Sequence, residues 1–486
     1  MRRRGAVVAL ATATLIAACT STTGGHGTAA VPVTTPDDGT SSATSTPPAP
    51  GSSSAPSGPA QRDCGTYAAP DPNRPSMTLR FTISDDHRTV RGTEHVVFHP
   101  DEQVDELVFR LTANTRPTVA EGNRIQVTSA RADPSGGQYT ITPANADAST
   151  QGGLLHVPLG RPVPAGGTVT ADLAFTLTLG RDSFDRFGTA GQFAYFGSAQ
   201  PLLAWERGFG WHEEGMIEFP AESATSEVMN VDLTVVAPAR DTVIMSGDPV
   251  DPPKTGSTRT WHSTIATARD VSVAAGPFSV RDITVQGVKL RLGAPDSSIR
   301  DALVPEFFRA ITELSKRFGP FPFPSLSVAR LPADGGGIEY PSSILMLDGS
   351  RLVAVHETAH QWFYAMVGDS QALHPWLDEA FAQYAEELVN GTQQRDAGAL
   401  SAPGNVDAST ESYGGDMQRY YFTTYDKGAS ALSAAREAAG PAKWDAALRC
   451  YVAHNAWRIA NPPDLRAALT DLPAAITVLE KAGALK

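Results

Sequence analysis

The residues most able to do chemistry are two histidines and two glutamates near position 360. His356, Glu357 and His360 form an H-E-x-x-H pattern inside an apolar stretch, and Glu379 follows the second histidine after 18 intervening residues. Residues four apart lie one above the other on a helix, so both imidazoles can reach one metal ion. Two neutral nitrogens and one carboxylate suit Zn²⁺ and leave a fourth position for water. We therefore predict one zinc ion held by His356, His360 and Glu379, with Glu357 beside it.

Two further sets of residues have side chains that could act near a metal. Glu386 follows Glu379 by seven residues, on the same helix face, and could orient a ligand histidine. A solvated surface position is an equally good interpretation of Glu386. His212 is followed by Glu213 and Glu214, which could suggest another metal site, but a solvated loop is the better prediction for these three residues.

The apolar pattern divides the chain into two regions that must position these side chains. Residues 63–275 alternate apolar and polar side chains, with Gly, Pro, Asn and Asp between the runs, which predicts an antiparallel β domain. Residues 276–486 begin with one strand at 283–292 and then change to helical spacing, clearest at 297–318. The ligand-bearing helices are predicted at 352–367 and 375–389. The fold class is therefore α+β and multidomain, with a β-rich domain followed by a mainly helical one.

Composition narrows the possible functions. The chain has 486 residues, with 39 basic against 52 acidic side chains and a net charge of −13. There is no basic surplus to neutralise phosphates, so we expect no nucleic-acid partner. Apolar residues make up 41% of the chain, enough for a sizeable core. Three cysteines cannot build a Cys₄ zinc site or a disulfide-dense scaffold.

The first 62 residues have the pattern of an export and anchoring segment. Three arginines precede an uncharged apolar run that is too short to span a bilayer core of about 30 Å but suits a signal peptide. The run ends in small residues before Cys19 and resembles a bacterial lipobox, which implies cleavage after residue 18 and lipidation of Cys19. An ordinary signal peptide remains the alternative. Residues 19–62 are rich in Ser, Thr, Pro and Gly and predict a disordered tether. We expect an exported protein, lipid-anchored to the outer face of the bacterial cell membrane.

Four segments in order resemble the aminopeptidase N family of zinc gluzincins. They are F-G-P-F-P at 318–322, G-G-I-E-Y at 336–340, H-E-T-A-H-Q-W-F leading to W-L-D-E-A-F-A-Q-Y at 356–384, and Y-D-K-G-A at 425–429. The resemblance implies a β-saddle domain followed by a thermolysin-like catalytic domain. It also implies that His356, His360 and Glu379 hold the zinc. Larger members carry a further helical domain over the site, so we expect a more open cleft here.

The resemblance assigns catalytic roles to two residues. Glu357 would be the general base to the zinc-bound water. Tyr425 would donate a hydrogen bond to the oxyanion, a contribution that typically changes the rate by about 10²–10³-fold. Tyr413, Tyr420 and Tyr421 lie nearby in the sequence and compete for that role, and the Lys-Gly-Ala that follows favours Tyr425.

A third role is recognition of the substrate's amino terminus. Glu339 matches the family's exopeptidase motif and would bind the free α-ammonium. Gly336 and Gly337 precede it and, without side chains, would allow the substrate backbone to approach. Tyr340 stands where the family has asparagine, which leaves substrate detail open.

The predicted function is a zinc aminopeptidase that removes N-terminal residues from peptides with a free amino group. A thermolysin-like endopeptidase, which would ignore the free amine, is the alternative. A catalytically silent peptide-binding lipoprotein is another, although such a protein would need neither Glu357 nor Tyr425.

Cys64 and Cys450 remain once Cys19 is lipidated, and in an exported protein they could form a disulfide or stay as two buried thiols.

Overall fold

Strands dominate the chain as far as residue 294, because apolar and polar side chains alternate there. In the first two strands every second side chain is buried. The strands are β1 Ser76–Ile83, β2 Thr89–Phe98, β3 Val104–Arg110, β4 Arg124–Asp133, β5 Thr140–Thr142, β6 Leu154–Val163, β7 Val169–Thr178, β8 Phe187–Ala190, β9 Phe193–Gly197, β10 Leu202–Leu203, β11 Trp205–Glu206, β12 Gly210–Trp211, β13 Met229–Pro238, β14 Thr242–Met245, β15 Thr258–Ala268, β16 Ser272–Gly276, β17 Ser279–Val285 and β18 Val288–Ala294. A short helix, α1 Arg116–Ala120, interrupts them.

These coordinates are a computed structural model and describe residues 64, 66–181, 186–219, 225–333, 335–392 and 396–486. The predicted signal peptide, Cys19 and the predicted tether lie outside these residues. None of the helices in the described part of the chain is long and apolar enough to cross a membrane.

Four sheets make up the described part of the β-rich region. The six-stranded sheet has the order β15-β13-β1-β2-β7-β4, and two four-stranded sheets have the orders β10-β3-β6-β5 and β14-β16-β9-β8. The pair β11-β12 forms the fourth sheet. Pairing is antiparallel as predicted, except that β1 and β13 run parallel. The ring of Phe81 lies 6.1 Å from that of Phe175 in the same sheet and 5.0 Å from that of Phe196 of β9, so the second contact joins two sheets.

The single strand predicted at 283–292 is wrong, because the chain forms a hairpin there. Strands β17 and β18 pair antiparallel and are joined at Gln286 and Gly287. Both residues have positive φ, 49° and 88°. Two successive positive φ values make the tight turn whose twist matches that of the flanking strands. Apolar side chains continue on both sides of the turn, so the periodicity of the sequence does not reveal it.

Strands β17 and β18 join three later strands in a five-stranded sheet that is covered by helices. The sheet has the order β17-β18-β19-β21-β20, and β20 is its edge strand. The remaining elements are β19 Ser325–Arg330, β20 Gly337–Tyr340, β21 Ser343–Met346, α2 Ser297–Phe318, α3 Arg351–Ala359, α4 Trp376–Asn390, α5 Ala397–Ser401, α6 Met417–Tyr421, α7 Gly428–Ala439, α8 Pro441–His454, α9 Pro462–Ala468 and α10 Pro473–Lys481. Helix α2 has the predicted bounds, and its N-cap Asp296 accepts hydrogen bonds from two backbone amides.

The helix predicted at 352–367 ends much earlier, after Ala359. His360 is its C-cap, and the following residues form a compact turn in which the amide of Ala365 donates to the carbonyl of His360 at 2.9 Å. Tyr364 has a φ of 108° in this turn. The buried guanidinium of Arg269, at the end of β15, donates to the carbonyls of Tyr364 and Met366 at 2.9 and 3.4 Å. A side chain from the β-rich region therefore satisfies two carbonyls of the turn that replaces the end of the predicted helix.

The β-rich region and the helical region lie within one compact unit, Ala60–Lys486. The predicted fold class is confirmed, since a β-rich part precedes a mainly helical part, while the boundary at 275/276 stays a prediction.

In the structure Cys64 forms a disulfide with Cys450 of α8, with a Cα–Cα distance of 5.0 Å. Close by, the Tyr67 hydroxyl donates to the carbonyl of Pro320 at 2.5 Å and accepts from Trp362 Nε1 at 3.2 Å.

Candidate active site

Two helices bring the predicted metal ligands together. His356 lies in the last turn of α3, His360 is its C-cap, and Glu379 lies in the first turn of α4. Glu379 Oε2 is 3.4 Å from His356 Nε2 and 3.5 Å from His360 Nε2. The three candidate ligand atoms all lie within 4.8 Å of one another, and their side chains are buried or nearly so. The structure thus assembles the cluster that the spacing predicts.

Each histidine contacts a second carboxylate through its other ring nitrogen. His360 Nδ1 lies 2.5 Å from Asp378 Oδ1, and Asp378 Oδ2 accepts from Gln371 Nε2 at 3.2 Å. His356 Nδ1 lies 3.4 Å from Glu386 Oε2. Such contacts fix the tautomer that leaves Nε2 available to a metal. Of the two interpretations of Glu386, the structure favours the one beside a histidine. The sequence analysis missed Asp378, although it stands directly before a predicted ligand.

The charge around these histidines fits a divalent cation. Burial by itself would lower the pKa of His356, but hydrogen bonds to Glu379 and Glu386 outweigh burial and raise that pKa well above its ordinary value. A bound metal would take the place of the proton that this excess of negative charge favours. Glu357 Oε2 is buried without a hydrogen-bond partner among the described residues. Two imidazoles and one carboxylate are the ligands expected for a catalytic zinc ion.

Glu357 is held between the ligand histidines and strand β20. Burial raises the pKa of its carboxyl above the ordinary value, and the imidazoles of His356 and His360 oppose that shift. Gly337 packs directly on the side chain, since a Cβ there would lie 2.4 Å from Glu357 Cγ. Gly336 has open space around it. The two glycines therefore differ, because Gly337 makes room for Glu357 and only Gly336 faces open space.

The predicted amine-binding carboxylate lies in the same site. Glu339 is buried on β20, and ligand atoms of Glu339, Glu357 and His360 lie within 4.8 Å of one another. Tyr340, the next residue, is fully buried and packs on β9, because a Cβ at Gly197 would lie 2.0 Å from its ring. Successive side chains of a strand point to opposite faces. The tyrosine that replaces the family's asparagine is thus a packing residue and leaves Glu339 in the cluster.

Tyr425 lies beside the ligands on an unusual helical turn. Residues Phe422–Lys427 form a π-helical turn, a feature often found at functional sites. The ring of Tyr425 is stacked 6.0 Å from that of His356 with an interplanar angle of 6°. Of the competing tyrosines, Tyr413 and Tyr420 are buried in an aromatic cluster behind this turn. The stacking on His356 therefore places Tyr425 beside the candidate metal ligands.

Lys427 and Gly428 account for the position of the π-helical turn. Lys427 Nζ donates to the carbonyls of Ala402 at 2.7 Å and Gly404 at 2.5 Å, which ties the turn to the preceding loop. A Cβ at Gly428 would lie 2.5 Å from Cβ of Ala380, the residue after Glu379. Gly428 therefore lets α7 approach α4 closely. The Lys-Gly pair places the Tyr425 turn against the helix that carries a zinc ligand.

The solvated loop predicted for His212 is wrong. His212 is fully buried, with Nε2 at 2.7 Å from Glu206 Oε2 and Nδ1 at 2.8 Å from Glu214 Oε1. The buried guanidinium of Arg110 donates to the carbonyls of both His212 and Glu214. Only Glu213 of the predicted group is exposed. This is a buried ion cluster, which polar residue types alone do not distinguish from a solvated loop.

Comparison with known proteins gives the family of this site. Residues 342–481 match the "Peptidase family M1 domain". This part of the chain is therefore similar to peptidase family M1. The predicted resemblance to the aminopeptidase N family is thereby confirmed, and the match agrees with the predicted enzyme class, a zinc metallopeptidase, and with the predicted zinc cofactor.

Curated M1 relatives resemble only part of the chain. Aminopeptidase M1-B of Oryza sativa subsp. japonica is 28% identical over 188 residues, which is 31% of this chain and 21% of the relative. Aminopeptidase M1 of Arabidopsis thaliana is 24% identical over 238 residues, 41% of this chain and 27% of the relative. The chain thus spans about a fifth to a quarter of the length of these relatives.

Solved M1 structures resemble the described fold over most of its length. The M1 zinc metallopeptidase from Deinococcus radiodurans has a TM-score of 0.63 at 21% identity, covering 84% of this chain and 94% of that one. A variant of that protein bound to the peptide Tyr-Ser-Ala has a TM-score of 0.62 with the same coverage. At this level of identity the likeness shows the fold.

Proposed function

We propose that the protein is a zinc-dependent aminopeptidase that removes N-terminal residues from peptides. The observation that carries this proposal is the position of Glu339. Its carboxylate lies within 4.8 Å of ligand atoms of Glu357 and His360, so it adjoins the water-activating group and the metal. A carboxylate at that distance can bind a substrate's α-ammonium and place the first peptide carbonyl over the metal. An endopeptidase would have no use for a buried anion there.

The side chains divide the work of peptide hydrolysis among them. A zinc ion held by His356, His360 and Glu379 would depress the pKa of a coordinated water and polarise the scissile carbonyl. Glu357 accepts the proton from the attacking water and passes it to the departing amine nitrogen. Tyr425 donates a hydrogen bond to the carbonyl oxygen as negative charge develops on it.

Blocked and free substrates test this proposal directly. Purified residues 63–486 should contain about one zinc per chain and hydrolyse aminoacyl-coumarin amides but not their N-acetylated forms. Glu357→Gln should abolish turnover and keep zinc, and Glu339→Gln should mainly raise KM for free-amine substrates. Equal hydrolysis of the blocked substrates would favour the endopeptidase. Zinc-loaded protein without activity on a broad peptide panel would favour a silent peptide-binding protein.

We also propose that the protein is exported and anchored by a lipid on Cys19. The proposal is supported by the apolar run of residues 5–18 and the small residues before Cys19. In the native host, the full chain should partition into the detergent phase and incorporate labelled fatty acid. Cys19→Ser should release it to the aqueous phase. Retention of that variant in the membrane would count against lipidation.

A further inference from the structure

One side chain from the β-rich region reaches the segment that carries Tyr425. Phe219 lies in the connection between β12 and β13 and is 4% exposed. Its ring lies 4.9 Å from that of Tyr420, and a buried cluster of Phe219, Tyr413 and Tyr420 packs against Tyr425. Phe209, in the same part of the chain, is 53% exposed. Burial of a lone aromatic side chain from a loop requires a partner surface, and here that surface is the back of the Tyr425 turn.

The part of this connection that precedes Phe219 is itself fixed to the β-rich region. The amide of Met216 donates to the carbonyl of Ala144 at 2.7 Å, and Asn145 Nδ2 donates to the carbonyl of Met216 at 2.8 Å. These bonds lie three residues before Phe219. The backbone just before Phe219 is therefore anchored to the β-rich region.

The cluster also fixes the residues next to Tyr425. The Tyr413 hydroxyl lies 3.2 Å from Thr424 Oγ1, and this hydrogen bond is buried. The rings of Tyr413 and Tyr420 meet at 5.3 Å edge to face, and the Tyr420 ring lies 5.9 Å from that of Tyr425. Aromatic pairs at such distances and angles restrict one another's position. A chain of contacts thus leads from Phe219 to the tyrosine that faces the metal ligands.

We propose that Phe219 is a positioning residue for Tyr425, so that the β-rich region sets the geometry of transition-state stabilisation. The proposal rests on the proposed peptidase function and deepens it. Phe219 touches neither the ligand cluster nor the predicted amine site in the contacts described, so its effect must pass through Tyr420 and the π-helical turn. Displacement of a catalytic group by about 1 Å can lower a rate by about 10²-fold.

A double-mutant cycle distinguishes positioning from general packing. Phe219→Ala should lower kcat by about 10-fold or more, with KM within about twofold and zinc content unchanged. In a Tyr425→Phe background the same substitution should have little further effect on kcat, because the group that it positions is already gone. Phe219→Leu, which keeps an apolar side chain, should give an intermediate kcat, and Phe209→Ala should behave as wild type.

Three results would overturn the proposal: an unchanged kcat in Phe219→Ala, a loss confined to KM, or the same fold-loss in the Tyr425→Phe background. Hydrogen–deuterium exchange of residues 417–428 gives a readout that does not need activity. Exchange there should increase in Phe219→Ala or Phe219→Leu and stay unchanged in Phe209→Ala, and unchanged exchange in all three would also overturn the proposal. A wild-type protein that cleaves no peptide would contradict the proposed function instead.

Discussion

At the residue scale, the carboxylates behind the ligand histidines differ in their contacts. Asp378 is fully buried and lies 2.5 Å from His360 Nδ1, whereas Glu386 lies 3.4 Å from His356 Nδ1 and is more exposed. Outer carboxylates of this kind typically change metal affinity by about 10–100-fold. Their effects on zinc binding should therefore be graded.

We expect Asp378→Asn to weaken zinc binding by about 10–100-fold and Glu386→Gln to weaken it less, because the shorter and more buried contact orients its histidine more firmly. Competition with a chelator of known zinc affinity measures both variants. A larger loss in Glu386→Gln would contradict this order.

The two adjacent glycines before Glu339 provide a matched pair. Gly337→Ala introduces a Cβ 2.4 Å from Glu357 Cγ, so the general base must move, while Gly336→Ala enters open space. We expect Gly337→Ala to lower kcat by about 10²-fold, because a shift of about 1 Å in a reacting group has that effect. Gly336→Ala should keep kcat within about threefold. Steady-state kinetics with zinc content as the folding control would check this, and equal losses would refute it.

At the element scale, we expect the approach of α7 to α4 to set the distance between Tyr425 and Glu379, a predicted zinc ligand. Gly428→Ala places a methyl group 2.5 Å from Ala380 Cβ, and overpacking of this kind costs about 1–3 kcal/mol. We expect a lower unfolding temperature together with a lower kcat. Ser433→Ala, on the same helix, should change neither. A destabilised Gly428→Ala with wild-type kcat would show that helix spacing does not control Tyr425.

The buried ion cluster around His212 makes the stability of its loop depend on pH. Burial opposes charge on the imidazole, but hydrogen bonds to Glu206 and Glu214 outweigh it and raise the pKa of His212 above its ordinary value. The folded chain therefore holds this proton to higher pH than the unfolded chain, whose pKa is about 6.5. The stabilisation is complete below about pH 6.5 and is lost as the pH rises through the raised pKa.

Substitution of His212 should remove a stabilisation that is largest at low pH. We expect His212→Gln to destabilise the protein most near pH 6, and the difference from wild type should shrink towards pH 9. His262→Gln is the control, since His262 pairs with Asp232 at 3.0 Å on the surface. Urea unfolding of metal-free protein at several pH values measures both. A difference that grows with pH would contradict a charged His212.

At the scale of the whole molecule, the Cys64–Cys450 disulfide joins the residues before β1 to helix α8, across a sequence separation of 386 residues. Closing a long loop restricts the unfolded chain, which typically stabilises a protein by about 2–4 kcal/mol. We expect Cys64→Ser with Cys450→Ser to lower the unfolding temperature. Dithiothreitol should lower that of the wild type and leave the variant unchanged. Insensitivity of the wild type to the reductant would count against a stabilising bridge.

Local patterns were enough to predict several elements and to name the candidate metal ligands. The alternation of side chains predicts the β-rich region, and helical spacing predicts α2 with its bounds. The candidate ligand set follows from residues four apart on one helix and a glutamate at the start of the next, and the structure brings these residues together. Such patterns are informative because side-chain period and helix geometry are properties of short segments.

Contacts between distant segments could not be predicted in the same way. Helix α3 ends after Ala359 where Arg269, almost a hundred positions earlier, takes carbonyls of the turn. His212 lies in a buried ion cluster that includes Arg110, about a hundred positions earlier, and residue types alone favoured a solvated loop. Tyr420 and Phe219 share a cluster although some 200 residues separate them.

The sequence by itself therefore determined which residues are the candidate metal ligands, which glutamate is the candidate general base, and the order of the β-rich and helical regions, since each depends on local spacing. Only the tertiary structure decided that Asp378 and Glu386 orient the two histidines, that Gly337 makes room for Glu357, and that the β-rich region reaches the Tyr425 turn. These contacts depend on which segments meet in space. Burial of apolar surface brings such segments together, and the periodicity of a single segment does not show which partner it will meet.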